Sequence, residues 1–314
     1  FGSVLSQTYD NFELHILDNM STDGTLEWIK SITDARVKVS TSASSLSIED
    51  SWGRITDIEK CEFITMFAHD DILLPEFLEN VDNLINQFPD AKLYQANGEL
   101  IDDEGSLIRQ CRRIKEIETA SDYLQARFSG NRDVFGTGYV MRASAYDSLG
   151  GIPKFNKLSF ADDALWLLLI DDGYKACCNL NSIQVRIHEN STSATNPSNW
   201  FGFLLAITQF AEFLTKFHKQ RPSSIMGLED LQKSFFKQYL INIYILGLVH
   251  HAEMGLDLAS EERSVFIDTC KSLSGSSFVS LICTPKVLPV FIISKICRPL
   301  LPLAWRMYQS LRAI

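Results

Sequence analysis

The sequence predicts an α/β fold, a sheet covered by helices and followed by a helical C-terminal region. Three observations carry this. Short apolar runs alternate with helix-period segments from Glu13 to Ala96. Acidic turns close two of the runs, at Asp18 and at Asp70-Asp71, where ligands of open α/β sheets sit. From Trp200 onward the pattern is wholly helical.

In order, residues 2–7 read as the end of a helix. The chain therefore opens inside one, on Phe1-Gly2-Ser3-Val4-Leu5, and its true N-terminus is expected to lie upstream; no initiating Met and no signal peptide is present. Glu13 to Leu17 reads as a strand, and the polar turn after it leads to a helix from Thr25 to Ser31, capped by Ser21 or Thr22. Val37 to Ser40 reads as a strand and 48–58 as a helix. The apolar run Phe63 to Phe67 is a buried strand ending at Ala68-His69-Asp70-Asp71. Pro75 opens a helix to Phe88. Lys92 to Ala96 is a strand, and 99–113 a hairpin turning at Asp102-Asp103-Glu104-Gly105. Phe135 to Met141 is a strand interrupted by glycine, 161–172 an apolar helix stopped by Gly173, and Gln184 to His188 a last strand. Helices are expected near 200–218, 228–250 and 260–273. Gln209, Glu212 and Lys216 interrupt the first of these, which favours packed helices over a membrane span.

At 314 residues, 46% hydrophobic and 22% charged, the chain has a globular composition. Its net charge of −10 argues against a nucleic-acid partner. No acidic residue follows Asp268, whereas Lys271, Lys286, Lys295, Arg298, Arg306 and Arg312 do. Apolar runs at Val287–Ser294 and Pro299–Trp305 lie between these cations, a pattern suited to an anionic membrane surface or to a docked C-terminal helix. Seven scattered cysteines without a CxxC pair fit a reducing cytosol.

Four constellations carry chemistry. Asp70-Asp71, adjacent carboxylates on a tight turn, suit a hard divalent cation, or cap the next helix. Asp18 with Ser21, Thr22 and Asp23 can accept from the edge of a nucleotide base, or form an Asx-type turn. Asp162-Asp163 at a helix start can supply a general base, or cap. His188, after Arg186-Ile187, is a metal ligand or a structural histidine.

Together these segments resemble the family 2 glycosyltransferases of the GT-A fold. Ser3-Val4-Leu5-Ser6-Gln7-Thr8-Tyr9-Asp10-Asn11-Phe12-Glu13 is similar to that family's S-(V/I)-L-x-Q-T-Y-x-N-x-E, and Asp18 to Thr25 to its D-D-G-S-T-D-G-T. His69-Asp70-Asp71-Ile72-Leu73-Leu74-Pro75 resembles the segment with the DXD-type metal motif. Gly150-Gly151, Ala161 to Trp166 and Arg186-Ile187-His188 resemble the later G-G, E-D-x-x-L-W and R-x-H segments. The resemblance covers about residues 3–195 and implies a Rossmann-like mixed sheet flanked by helices. It also implies a first strand that this sequence lacks, so that the sheet loses a central member.

By resemblance, Asp18 contacts the nucleotide base, with Ser21 beside it. Asp70 faces the ribose or diphosphate, and Arg54 the diphosphate. Asp71 and His188 hold Mn²⁺ or Mg²⁺. Asp162 is the base, with Asp163 as the second candidate. The implied reaction is a single inverting displacement from a nucleotide-diphospho-sugar donor onto a saccharide or lipid-linked acceptor, in bacterial surface polysaccharide or glycolipid synthesis at the cytoplasmic face of the membrane. Asn19, Met20, Ala161 and Leu168 stand where the family commonly has Asp, Gly, Glu and Arg. These departures keep open a catalytically inactive sugar-nucleotide-binding protein of the same fold. Nucleotidyl transfer is disfavoured by the lack of a Gly-rich, basic phosphate loop. The expected domains are 1–198, catalytic; 199–275, helical; and 276–314, a membrane-associating tail.

Overall fold

The computed structural model describes residues 1–188, 197–255 and 260–275, with the single positions 280, 283 and 291. It divides into two compact units, Phe1–His188 and Glu189–Ile314. The tail expected to touch a membrane lies almost wholly outside the described residues.

The first unit opens with a short helix, α1 (Gly2–Leu5). Strands β1 (Leu14–Asp18) and β2 (Val37–Thr41) pair in parallel, and α2 (Thr25–Lys30) provides the crossover that parallel pairing requires. They form a two-stranded sheet of their own. Neither Ser21 nor Thr22 caps α2. The N-cap is Gly24 at φ 89°, and the Asp23 carboxylate accepts from the Thr25 N–H at 3.1 Å. Only glycine enters that left-handed conformation without a Cβ penalty. Helix α3 (Ile48–Gly53) is capped by Ser47, which accepts from the Asp50 N–H, and tightens into a 3₁₀ turn at Arg54–Asp57.

The larger sheet holds seven strands: β3 (Phe63–Thr65), β4 (Ile72–Leu73), β5 (Leu93–Ile101), β6 (Leu107–Gln110), β7 (Ile117–Glu118), β8 (Tyr139–Arg142) and β9 (Lys175–Arg186). Its order is β3-β8-β5-β9-β4, with β6 on β5 and β7 on β9. Only the β5–β9 pair is parallel, so the sheet is mixed. Helix α4 (Phe77–Gln87) buries Phe77, Val81 and Leu84, spaced at helical intervals. They meet Tyr94, Ala96, Val140, Ala176, Ile183 and Val185 in the main core. Each such side chain contributes about 1.5–3 kcal/mol on full burial. Gln7 ties the opening segment to this helix: it donates to the Leu74 carbonyl at 2.8 Å and accepts from the Leu78 N–H at 2.9 Å.

The remaining helices are α5 (Ala120–Phe128), α6 (Ala143–Ser148) and α7 (Ala161–Leu169). A capping box starts α5, with Thr119 and Asp122 satisfying each other's backbone N–H groups. Helix α7 is buried around most of its circumference, and Trp166 stacks on Tyr139 at 4.2 Å between ring centroids.

In the second unit α8 (Trp200–Gln220) packs on α9 (Glu229–Glu253), which also carries α10 (Ser260–Ser274). Gly247 lets the backbone approach Trp200, whose ring atoms lie 3.0 Å from where a Cβ would stand. Among the described residues no helix is long and apolar enough to cross a membrane.

Candidate active site

The first cluster stands at the end of β1. Asp18 is 5% exposed. Both its carboxylate oxygens accept from the Ser21 N–H, at 3.3 and 3.2 Å, and Oδ2 also accepts from the Thr41 hydroxyl at 2.7 Å. Hydrogen bonds from Ser21 and Thr41 hold the carboxyl below its usual range, so it stays ionised. Arg54 donates to the Asp18 carbonyl at 2.8 Å and the Ser40 carbonyl at 2.9 Å, fastening the ends of β1 and β2 together. The carboxylate thus closes a turn, and the guanidinium acts as a staple.

The second cluster separates the two adjacent aspartates. Asp71 is buried: Oδ1 accepts from the Arg186 N–H at 2.9 Å and Oδ2 from the Thr137 hydroxyl. Burial pushes its carboxyl up. Asp70 keeps a side chain 21% exposed and meets His188 Nε2 at 2.8 Å. Arg186 fixes the turn by donating from Nε to the Asp70 carbonyl at 3.1 Å, and from a terminal nitrogen to the Asp102 and Asp103 carbonyls. The accessible oxygen and nitrogen of this cluster therefore belong to Asp70 and His188, while Asp71 faces inward. One carboxylate and one imidazole suit Mn²⁺ or Mg²⁺ if the donor's phosphate oxygens complete the shell. Among the described residues no three His, Cys, Asp or Glu side chains gather to hold an ion by themselves.

The third cluster lies at the start of α7. Asp163 is 1% exposed and accepts from the Tyr123 hydroxyl at 2.6 Å and from Arg127 Nε at 3.0 and 3.1 Å. Asp162 is partly exposed, and its Oδ1 accepts from the Asp163 N–H at 2.9 Å. Burial of its carboxyl and the neighbouring Asp163 charge push its pKa up to about 7. A carboxyl poised there exchanges protons at neutral pH, which suits a general base. Of the two, Asp162 is the one left able to meet a substrate.

The clusters are joined through the scaffold. Thr137, which bonds Asp71, precedes by two residues the Tyr139 ring stacked on Trp166 of α7. From α3, Glu49 accepts from the Lys157 N–H and Asp50 from the Lys154 ammonium, both at 2.7 Å, anchoring the loop that enters α7. The reading of single segments missed Thr137, Tyr123 and Arg127. Thr119 to Asp122 marks a helix start, and Tyr123 and Arg127 then share a face at i, i+4. No comparable signal points to Thr137.

Residues 1–150 match the family model described as glycosyl transferase family 2. The protein named "Putative glycosyltransferase EpsE" of Bacillus subtilis (strain 168) is 28% identical over 195 residues, 60% of this chain and 66% of that protein. "Uncharacterized protein y4gI" of Sinorhizobium fredii (strain NBRC 101917 / NGR234) is 30% identical over 150 residues, 46% of this chain and 15% of that protein. The chain thus spans just under two thirds of the first relative and a small part of the second. Among solved structures, S. aureus TarS 1-349 in complex with UDP-GlcNAc has a TM-score of 0.53 at 16% identity, covering 88% of this chain and 85% of that one. Mannosyltransferase PcManGT from Pyrobaculum calidifontis, in complex with GDP-Man and Mn²⁺, has a TM-score of 0.50 at 11% identity, covering 98% and 82%. Residues 1–150 are thus similar to glycosyl transferase family 2, and the mixed sheet with its helices has the GT-A fold of these solved structures.

Proposed function

We propose that this chain transfers a sugar, with inversion, from a nucleotide diphosphate donor to an acceptor hydroxyl. The observation that carries the reading is Asp162: a partly exposed carboxyl at the start of α7, beside an Asp163 fully engaged by Tyr123 and Arg127, with its pKa pushed up by burial and by the Asp163 charge. Asp162 takes the acceptor proton, and the acceptor oxygen attacks the anomeric carbon as the sugar–phosphate bond breaks. One base is enough, unlike the carboxylate pair of glycosidases. Asp18 receives the edge of the nucleotide base, in the turn it forms with Ser21. Asp70 and His188 would hold Mn²⁺ or Mg²⁺, which would supply positive charge for the leaving diphosphate. Asp71 holds the turn before β4 against β9, and Arg54 fastens the ends of β1 and β2. The nucleotide sugars and Mn²⁺ named with TarS and PcManGT support a donor and ion of this class.

The acceptor is a saccharide or lipid-linked saccharide of a bacterial surface polysaccharide or glycolipid. The acid-free, basic and apolar stretch 276–314 brings the enzyme to the cytoplasmic face of the membrane. A second reading, donor binding without turnover, is favoured by Ala161 in place of the family's Glu.

The test is a donor panel read by nucleoside diphosphate release, on full-length protein with Mn²⁺. Turnover is expected with at least one donor. Asp162→Asn should lower kcat by about 10²–10⁴-fold with donor affinity retained. Donor binding without turnover in the wild type would select the second reading, and no donor binding at all would end both.

A further inference from the structure

Beneath the first turn of α7 lie three buried cations: Arg127 on α5, Arg132 in the loop before β8, and Lys175 at the start of β9. Arg132 and Lys175 share Glu118, at 3.3 and 2.6 Å, and both donate to the side-chain amide oxygen of Gln95, Oε1. Arg132 lies 4.0 Å over the Tyr123 ring, and the Lys175 ammonium 5.4 Å from the Tyr123 and Tyr139 rings. Arg127 bonds Asp163. Two carboxylates, Glu118 and Asp163, thus face three cations. Of these cations Arg127 is the one that favours the ionised form of Asp162, whose Oδ1 accepts from the Asp163 N–H at 2.9 Å. The groups facing Asp162 are Tyr123 and Arg127 from α5, Tyr139 from β8 and Asp163 from its own helix.

The backbone entering α7 is strained. Lys157, Leu158 and Phe160 take φ of 55°, 54° and 64°, a left-handed conformation unusual for side chains of this bulk. Such a segment persists only where its surroundings over-determine it. Arg127 contributes on two sides: Nε bonds Asp163, and the guanidinium carbon stands 5.6 Å from the centre of the Phe160 ring. A planar guanidinium can do both at once; a lysine ammonium cannot.

We propose that Arg127 is a positioning residue for Asp162, clamping Asp163 against the Phe160 turn and supplying the positive charge that balances the Asp162 carboxylate. The inference rests on Asp162 as the base of the proposed transfer. Arg127 and Asp163 act on Asp162 in opposite senses. Arg127 favours its ionised form, whereas the Asp163 charge opposes it.

The decisive measurement is a ¹³C-carboxyl NMR titration of Asp162 in full-length protein, with its signal assigned by its loss in Asp162→Asn. Asp163→Asn should lower the Asp162 midpoint by about one pH unit or more. Arg127→Gln/Asp163→Asn should bring it back up by a similar amount. These two variants both lack the Asp163 charge and differ at Arg127, so neither leaves a buried carboxylate without its cation. Arg127→Lys, which keeps the charge but not the fork, should hold the midpoint near wild type while lowering kcat. Equal midpoints in Asp163→Asn and the double variant would overturn the proposal. So would Asp163→Asn abolishing turnover at every pH, which would make Asp163 the base. Wild type that titrates as expected yet releases no diphosphate from any donor would sink the transfer reading and leave the link between Arg127 and Asp162 standing.

Discussion

Asp162 can accept a proton only when ionised, so its raised pKa has two consequences. The turnover rate should climb with pH and level off above about 7. Stability should move the other way. Below its unfolded value of 3.8 the carboxyl is protonated in both states. Between there and about 7 the folded state holds the extra proton, so stability falls as pH rises and stays lowered above that window. Asp162→Asn removes this dependence and should unfold at higher urea than wild type at pH 8, but not at pH 3.5. The two aspartates of the turn should separate as clearly. Asp70→Asn removes an accessible ligand and should weaken Mn²⁺-dependent donor binding by more than about tenfold, with unfolding unchanged. Asp71→Ala strands the Thr137 hydroxyl and the Arg186 N–H and should cost about 1–3 kcal/mol in urea unfolding. Equal effects of both on unfolding would contradict this division. By resemblance Asp71 is the metal ligand and Asp70 the ribose or diphosphate contact, and the proposal here exchanges them, because which of two neighbours turns inward depends on Thr137 and Arg186, both more than sixty positions away.

Among the elements, those with a clean period were legible and those with a broken one were not. The strand at Phe63, the helix after Pro75, the hairpin at Asp102 and the helix from Ala161 all form close to where their patterns place them. Strand β9 reads from sequence only at its end. Its core-facing residues are Ala176 and Cys178 before the irregularity, then Ile183 and Val185 after it. The alternation breaks where β5 advances two residues, Ala96 to Gly98, and β9 advances five, Cys178 to Ile183. Gly98 permits the crossing: a Cβ there would stand 1.9 Å from the Ile183 carbonyl oxygen. Gly98→Ala should therefore destabilise the first unit by about 1–3 kcal/mol or more, read as a lower urea midpoint. The β1–β2 pair was legible as two strands but not as a separate sheet, since pairing partners are a long-range property.

At the scale of the molecule, the chain divides into two compact units, and the residues proposed to hold the donor lie in the first. A nucleotide diphosphate with Mn²⁺ should raise the unfolding temperature of the first unit, and EDTA should cancel the rise. Calorimetry resolving two transitions would check this, and a ligand shift in the second transition alone would count against the assignment. The irregularity in β9 also governs how a chain of this design can change length. Residues 179–182 act as a spacer whose parity sets the phase of everything after it. Adding or deleting one residue there would exchange inside for outside along Gln184–Arg186, and Asp71 would lose the backbone N–H it depends on. Adding or deleting two would keep the phase. Length variation at this spot should therefore be tolerated in even steps and lethal to the site in odd ones.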